Sequence, residues 1–349
     1  MNDAEALLDQ IISDPLARAR SAGDAIGFVG ADIPEDLLAA IGRGYCHLPW
    51  KTGRATPRAD QWLESSFPSL TRSILEDWAE GRFDFMEAVV FTRGEDSIQR
   101  LYYYISELQR RGQIGGPEPL MFDIAKIDRP SSIARTVQSV RSLAERFGLD
   151  SRRLREGMAA ANQRRAALSA FENARLSNGP FYEKLARAGL FSPVEQEIGP
   201  APGERPARRV LLAGTPPPDG RFHEAVETSG WTIAAEAHVR SLDRLGPIIK
   251  TSSADPAQEI GAHAHALQTG SRGFGDSTGR LIDRVHAVRA DAVIIWMIEE
   301  EEALGWDLPA QQRALAELSI PTLILTRRKW DGSDGSAEEM VAFVEGLDR

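Results

Sequence analysis

Two β-rich runs, EAVVFT at 87–92 and DAVIIWMI at 291–298, each open with an acidic residue followed by Ala-Val. Each leads into a segment of helical periodicity and then a second apolar run, PLMFDIA at 119–125 and IPTLILT at 320–326. Upstream, IGFVGADIP (26–34) precedes EDLLAAIG, stopped at Gly42, and RRVLLAG (208–214) precedes DGRFHEAVETSG. Parallel strands need a crossover between them, so this alternation implies mostly parallel sheets covered on both faces. The chain reads as α/β, with two doubly wound parallel-sheet domains related by a weak internal duplication. Open sheets of this kind bind ligands outside the carboxyl ends of their strands, which predicts a crevice between the two halves.

The boundaries follow from the same pattern. Residues 1–25 read as an N-terminal helical arm, and 26–178 as the first domain. That domain ends in a helical connection running from about 131 to 176. The stretch 179–207, with GP and GPAPGERP, reads as a linker. Residues 208–349 form the second domain, and 349 residues suit two cores.

With 42% hydrophobic and 26% charged residues the chain is globular. A formal net charge of -10 gives no basic footprint for nucleic acid or anionic membrane, so neither is an expected partner. The longest strongly apolar run, AVIIWMI, falls far short of the roughly 20 residues that span a bilayer. The acidic start MNDAEALLDQ lacks an export pattern, and a cytoplasmic location is the expectation. The one cysteine, Cys46, excludes an internal disulfide and any CxxC site.

EAVVFT runs into Arg93, Gly94, Glu95, Asp96 and Ser97, and DAVIIWMI into Glu299, Glu300, Glu301 and Glu302. Both acidic groups fall at strand-to-helix turns. Carboxylates there gain about 0.3–1 kcal/mol from a helix dipole, which is reason enough for them. The alternative is that several converge across one cleft, where like charges raise each other's pKa or recruit a divalent cation. Glu95 and Glu301 are then the candidate catalytic pair, with Thr92, Asp96, Ser97 and His47 as candidate ligand-binding residues.

Other motifs carry less. GDSTG (275–279) matches a nucleophile elbow only in spelling, because no strand precedes the serine and only His286 follows as a base. The glycines of SRGFGDSTG suit a flexible loop. His263 and His265 lie two apart in a helical segment and read as surface residues. Arg327, Arg328 and Lys329 read as a solvated basic turn.

Several segments, in order, resemble the 2-hydroxyacyl-CoA dehydratase and benzoyl-CoA reductase subunit family. VGADIPEDLLAAIG is similar to its opening strand and helix. SSFPSLTRSILEDWAEGRFDFMEAVVFTRGEDSIQRLYYY is similar to the stretch that carries Cys-Pro and Cys-Asp-Ser. LREGMAAANQRRAAL holds its Asn-x-x-Arg pattern, here Asn162 and Arg165. RRVLLAGTPPPDGRFHEAVETSGW, DAVIIWMIEEEEALGWDLPAQQRALAELSIPTLIL and EMVAFVEGL resemble its second domain. The resemblance implies an acyl-CoA thioester ligand and a homologous partner subunit, as a heterodimer or homodimer. It also implies an iron–sulfur (4Fe–4S) cluster held by three cysteines and reduced by an ATP-driven activator.

The cluster positions map to Phe67, Glu95 and Glu301, and none is cysteine. Iron–sulfur clusters need soft thiolates; glutamate is a hard donor and phenylalanine none at all. The chain alone is therefore expected to bind no cluster, with any 4Fe–4S group carried by a partner. Three functions remain open. The chain could be a cluster-free subunit that shapes an acyl-CoA site. It could be a redox-free enzyme using its carboxylates, with or without a divalent cation. It could be a non-catalytic acyl-CoA-binding module.

Overall fold

The computed structural model describes residues 2–174, 178–200 and 207–347. Helices α1 (Asn2–Ser13) and α2 (Ala17–Ala22) lead into a first sheet of β1 (Ala25–Val29), β2 (Tyr45–His47), β3 (Met86–Thr92) and β4 (Glu118–Phe122). Its strands are joined through α3 (Glu35–Ile41), α4 (Ala59–Trp62), α5 (Ser69–Ala79) and α6 (Asp96–Arg110). Helices α7 (Pro130–Arg146), α8 (Ser151–Asn173), α9 (Gly179–Phe191) and α10 (Glu195–Ile198) come next. The second sheet holds β5 (Arg209–Gly214), β6 (Thr232–Ala237), β7 (Ala292–Ile298) and β8 (Thr322–Arg328). Around it lie α11 (Arg221–Thr228), α13 (Ser277–Val288), α14 (Leu308–Glu317) and α15 (Ser336–Gly346), while α12 (Pro256–Leu267) precedes α13 in sequence.

The sheets share one topology, β2-β1-β3-β4 and β6-β5-β7-β8, with every pairing parallel. Their central strands β1 and β7 are buried at every residue, as strands covered on both faces must be. Alternate residues feed opposite cores. Val89 and Phe91 pack against Ile74, Trp78 and Leu101, while Val90 packs against Leu38, Val140 and Met158. In the second sheet Leu212 and Trp296 meet Phe222 and Met340, and Leu211 and Ile295 meet Leu281 and Leu315. In each sheet the chain leaves one central strand for one edge and the other for the opposite edge. This puts the switch points at the carboxyl ends of β1 and β3 and of β5 and β7.

The sequence reading misses β2 and β6. The first is three residues long, and the second, TIAAEA, is Ala-rich with a buried Glu236 that β-propensity disfavours. That carboxylate is tolerated because His223 Nε2 lies 2.8 Å from it. The segment 179–207 needs a correction. Over its first half it is helix α9, whose Phe181, Tyr182, Leu185 and Phe191 join Leu8 and Ile11 of α1 in a core of their own. Asn178 caps this helix by accepting from the Phe181 amide, and Pro180 suits its first turn. Residues 201–206 lie outside the described residues. The helical stretch expected from 131 to 176 is two helices, broken at Gly148 and restarted by the Asp150 cap; 175–177 lie outside the described residues.

Although α12 belongs in sequence to the second half, Ala257, Ile260 and Ala264 pack into the first domain's core. The Asn-x-x-Arg pair of α8 explains the path that leads there. Asn162 exchanges two hydrogen bonds with the Ile249 backbone, at 2.8 and 3.0 Å. Arg165 holds Asp36 with two parallel bonds at 2.9 and 2.7 Å and also donates to the Leu245 carbonyl. The pattern therefore staples 245–249 onto α3 and α8. His265, expected at the surface, is consequently buried in the face of α12 turned to the first domain.

Candidate functional site

The two switch points open on one cleft of about 440 Å³, within the range of small-molecule sites. The first domain supplies Glu95, Ser97, Ile98, Pro68 and Leu70, and the second supplies most of the remainder. Gly30 shapes the first switch point. Its φ of 96° is a left-handed conformation, and a Cβ there would come 2.5 Å from Thr92 Oγ1. With the backbone drawn in, the Ala31 amide donates to Glu95 Oε2 at 3.1 Å. Glu95 occupies the N-cap position of α6 but makes no side-chain cap; its carboxylate bridges β3 to β1 instead.

At the second switch point β7 ends in a turn, and Glu300 and Glu301 face the same cleft. Burial pushes the Glu301 carboxyl up, the Glu95 and Asp96 charges add to the rise, and its pKa reaches about 7. The Ser271 hydroxyl and the Ala303 amide oppose that rise, although among the described residues Ser271 Oγ makes no hydrogen bond of ordinary geometry. Burial likewise raises Glu95, with the Arg240 cation as the main opposing influence. The two glutamates thus line one cleft, and the Glu95 charge adds to the rise at Glu301.

The glycine-rich loop is fixed, not flexible. Asp32 Oδ1 accepts from the Gly270 amide and the Thr269 hydroxyl, both at 3.0 Å, and its Oδ2 pairs with Lys126 at 2.7 Å. The Arg272 amide donates to the Gly94 carbonyl at 3.0 Å. A Cβ on Gly270 would sit 2.6 Å from that carbonyl, which is why glycine is needed there. This docking carries Ser271 into the cleft.

The other expected residues fall elsewhere. Ser97 lines the cleft. Asp96 points outward with its side chain 64% exposed, 3.4 Å from Arg272. Thr92 is buried beneath the cleft, its hydroxyl without a partner among the described residues. His47 sits at the end of β2, edge-on to Phe28 and Trp50, with Nδ1 bonded to the Leu48 carbonyl at 2.6 Å. Burial lowers its pKa to about 3, so it is a neutral packing residue outside the cleft lining. Phe67 is buried against Tyr104, with the Arg100 guanidinium 4.1 Å over its ring.

GDSTG starts α13: Asp276 caps the helix by accepting from the Gly279 amide, and the Ser277 hydroxyl donates to Asp307 at 2.6 Å. Arg328 pairs with Glu339 at 2.7 Å. Among the described residues, no group of three or more His, Cys, Asp or Glu side chains gathers to hold a metal ion.

Arg240, His238 and Thr215 also line the cleft; sequence reasoning missed the first two because they follow the unrecognised β6, and Thr215, just past β5, carries no motif of its own. Arg240 stacks its guanidinium 3.9 Å over the Trp50 ring. Behind it a chamber of about 20 Å³ is lined by Glu183, His223, Glu236 and His238.

A family model described as 2-hydroxyglutaryl-CoA dehydratase, D-component, matches residues 31–347. The chain belongs to this family. No curated protein matches it. The dehydratase D-component match begins just after β1 and takes in the other strands of both sheets, with Glu95 and Glu301. The residues expected at the three cluster positions do not fit cysteine ligation: Glu95 and Glu301 are carboxylates at the cleft and Phe67 is a packed phenylalanine. Cys46 is no substitute, since it is buried in β2 with burial pushing its thiol up to about 12, and it lies outside the cleft lining. No helix among the described residues is long and apolar enough to cross a membrane.

Proposed function

We propose that this protein is a cluster-free subunit of a 2-hydroxyacyl-CoA dehydratase- or benzoyl-CoA reductase-like complex. It shapes an acyl-CoA site beside a homologous partner that carries the iron–sulfur centre. One observation carries the reading. The D-component family match runs from residue 31 to 347, while the chain has a single cysteine, Cys46, so the positions expected for the cluster, Phe67, Glu95 and Glu301, carry no thiolate. Phe274 and Trp306, next in sequence to the cleft-lining Gly273 and Asp307, are 75% and 86% exposed. Exposed apolar surface of this kind supports association with another chain.

Within such a complex Glu95 and Glu301 hold or move a proton at the acyl group. A carboxyl near pKa 7 is suited to that task at neutral pH. The test is anaerobic purification of the native complex, with iron and acid-labile sulfide quantified and the accompanying chains identified. Iron together with a cysteine-bearing homologue is the expected result. A homodimer without iron overturns it.

The same Glu301 carboxyl supports a second reading, a redox-free enzyme acting on a thioester by acid–base catalysis. Glu95→Gln and Glu301→Gln should then each lower turnover by roughly 10²-fold or more with the fold intact. Unchanged turnover in both variants rules that reading out.

A further inference from the structure

Of the six histidines, His238 is the one that lines the cleft, where it stands just past the carboxyl end of β6. Its backbone is tied down. The His238 carbonyl accepts from the Ser241 amide at 3.0 Å and from the Ser241 hydroxyl at 2.8 Å. The ring is tied down as well, because the Arg240 amide donates to Nδ1 at 3.2 Å. A ring nitrogen that accepts a hydrogen bond carries no proton, so this contact makes the imidazole neutral, with its proton on Nε2. Nε2 itself has no partner among the described residues. It is also not one of the sealed, unsatisfied nitrogens that His223 and His265 carry, so it stands open.

The surroundings keep the ring uncharged. Arg240 lies beside it, and Glu183, Arg187, His223 and Glu236 line the small chamber that His238 borders on its other side. Burial lowers the His238 pKa to about 4, with the Glu236 carboxylate opposing and the Arg240 cation adding to the fall. A neutral imidazole N–H can polarise a carbonyl oxygen that gains charge during a reaction. The carboxylates lie within electrostatic reach of the same wall. Glu95 feels the Arg240 cation next to His238, and Glu301 feels the Glu95 charge. One cleft thus combines a neutral donor with two carboxylates. A carbon acid needs both parts: a base for its proton and a donor for the oxygen that takes up the charge.

We infer that His238 Nε2 donates to the thioester carbonyl oxygen of a bound acyl-CoA while Glu301 removes a proton from the adjacent carbon, making the cleft a site of reversible enolisation. The inference rests on the acyl-CoA reading and deepens its redox-free form by naming the reaction. The electron pair of the broken C–H bond becomes the carbon–carbon double bond. The carbonyl π pair moves onto oxygen, and Glu301 holds the proton. Reversal returns a proton to the same carbon. No oxidant, reductant or further reactant is consumed, and in heavy water the carbon takes back a deuteron.

The test follows the α-methylene signal of butyryl-CoA by NMR in heavy water, with the full chain and any homologue that accompanies it. The signal should fade faster than in buffer alone, and Glu301→Gln should stop the fading. His238→Phe keeps a ring and loses the donor; it should slow exchange about 10²- to 10³-fold while butyryl-CoA binding changes little. His238→Gln restores an N–H donor and should fall between the two. Exchange that survives either Glu301→Gln or His238→Phe overturns the inference. Equal loss of binding and exchange in both His238 variants marks a structural histidine and overturns it as well.

Binding is read separately by calorimetry. Butyryl-CoA that binds without exchanging ends the inference and leaves the acyl-CoA reading standing, whereas failure to bind ends both. The tautomer is checked without any ligand. Ring-nitrogen chemical shifts of His238 should report a neutral imidazole protonated on Nε2 throughout the neutral range. An imidazolium, or a proton on Nδ1, removes the donor and overturns the inference.

Discussion

The two sheets have the same strand order and place a glutamate at the same point, yet their carboxyl ends are used differently. The first crevice is partly closed by its own chain, leaving Glu95, Ser97 and Ile98 on the cleft wall. Glu95 ties β3 to β1, Gly30 brings the backbone against Thr92, and Asp32 holds the Thr269–Gly270 backbone over the opening. The second stays open, and the ends of β5, β6 and β7 line the cleft. A switch point is thus a place where a ligand can bind, and whether it does depends on which backbone groups remain unsatisfied there. The first domain serves as wall and clamp, the second as receptor.

The largest expected effect concerns what keeps the two in register. Arg165 and Asp36 are 3% and 0% exposed and paired by two bonds, so Arg165→Ala leaves a buried carboxylate with no partner. A loss of about 3–5 kcal/mol is expected in denaturant unfolding. Asp36→Ala should cost a similar amount, and the double substitution much less than the sum. Additive losses would mean that the pair does not hold 245–249 against the first domain.

An intermediate effect is expected at the clamp. Asp32→Ala strands the Gly270 amide and Lys126, at a cost of about 1–3 kcal/mol. Hydrogen exchange should quicken across 268–273 and little elsewhere. Unchanged protection there would break the contrast, because the first crevice would then be closed without its clamp.

The strands that anchor both crevices were legible because burial on both faces forces continuous apolar runs, as in AVIIWMI. The positions of Glu95 and Glu301 followed from them. What escaped was set by contacts distant in sequence. TIAAEA is a strand because His223 neutralises the burial cost of Glu236, and no local pattern encodes that pair. Arg240 was lost with that strand. His47 lies at a strand end like the glutamates, but aromatic rings on two sides turn it into packing. The glycines of SRGFGDSTG suggested freedom. Gly270, just before them, is there because the backbone lies too close to Gly94 for a side chain.

The smallest effect separates the two glutamates by pH. Glu301 has a folded pKa of about 7, raised above the value near 4.3 of an unfolded chain. The folded state therefore holds this proton more tightly than the unfolded state does. Its contribution to stability is full below about pH 4.3 and is lost as pH rises through 7. Glu301→Gln removes the titration while keeping the shape, so the variant should gain on the unsubstituted chain as pH rises. Because Glu301 is partly open to water, only a fraction of the shift converts into stability, and a Tm advantage of about 2 °C at pH 8 is expected. At pH 4.5 the two should nearly coincide. Glu95 also has a raised pKa, but its carboxylate accepts the Ala31 amide. Glu95→Gln can keep that bond through its amide oxygen, while Glu95→Ala cannot and should lose stability at every pH. Parallel Tm curves for Glu301→Gln and the unsubstituted chain from pH 4.5 to 8 would place the Glu301 carboxyl in ordinary solvent. The two switch points would then differ in packing alone, with no difference in how they hold a proton.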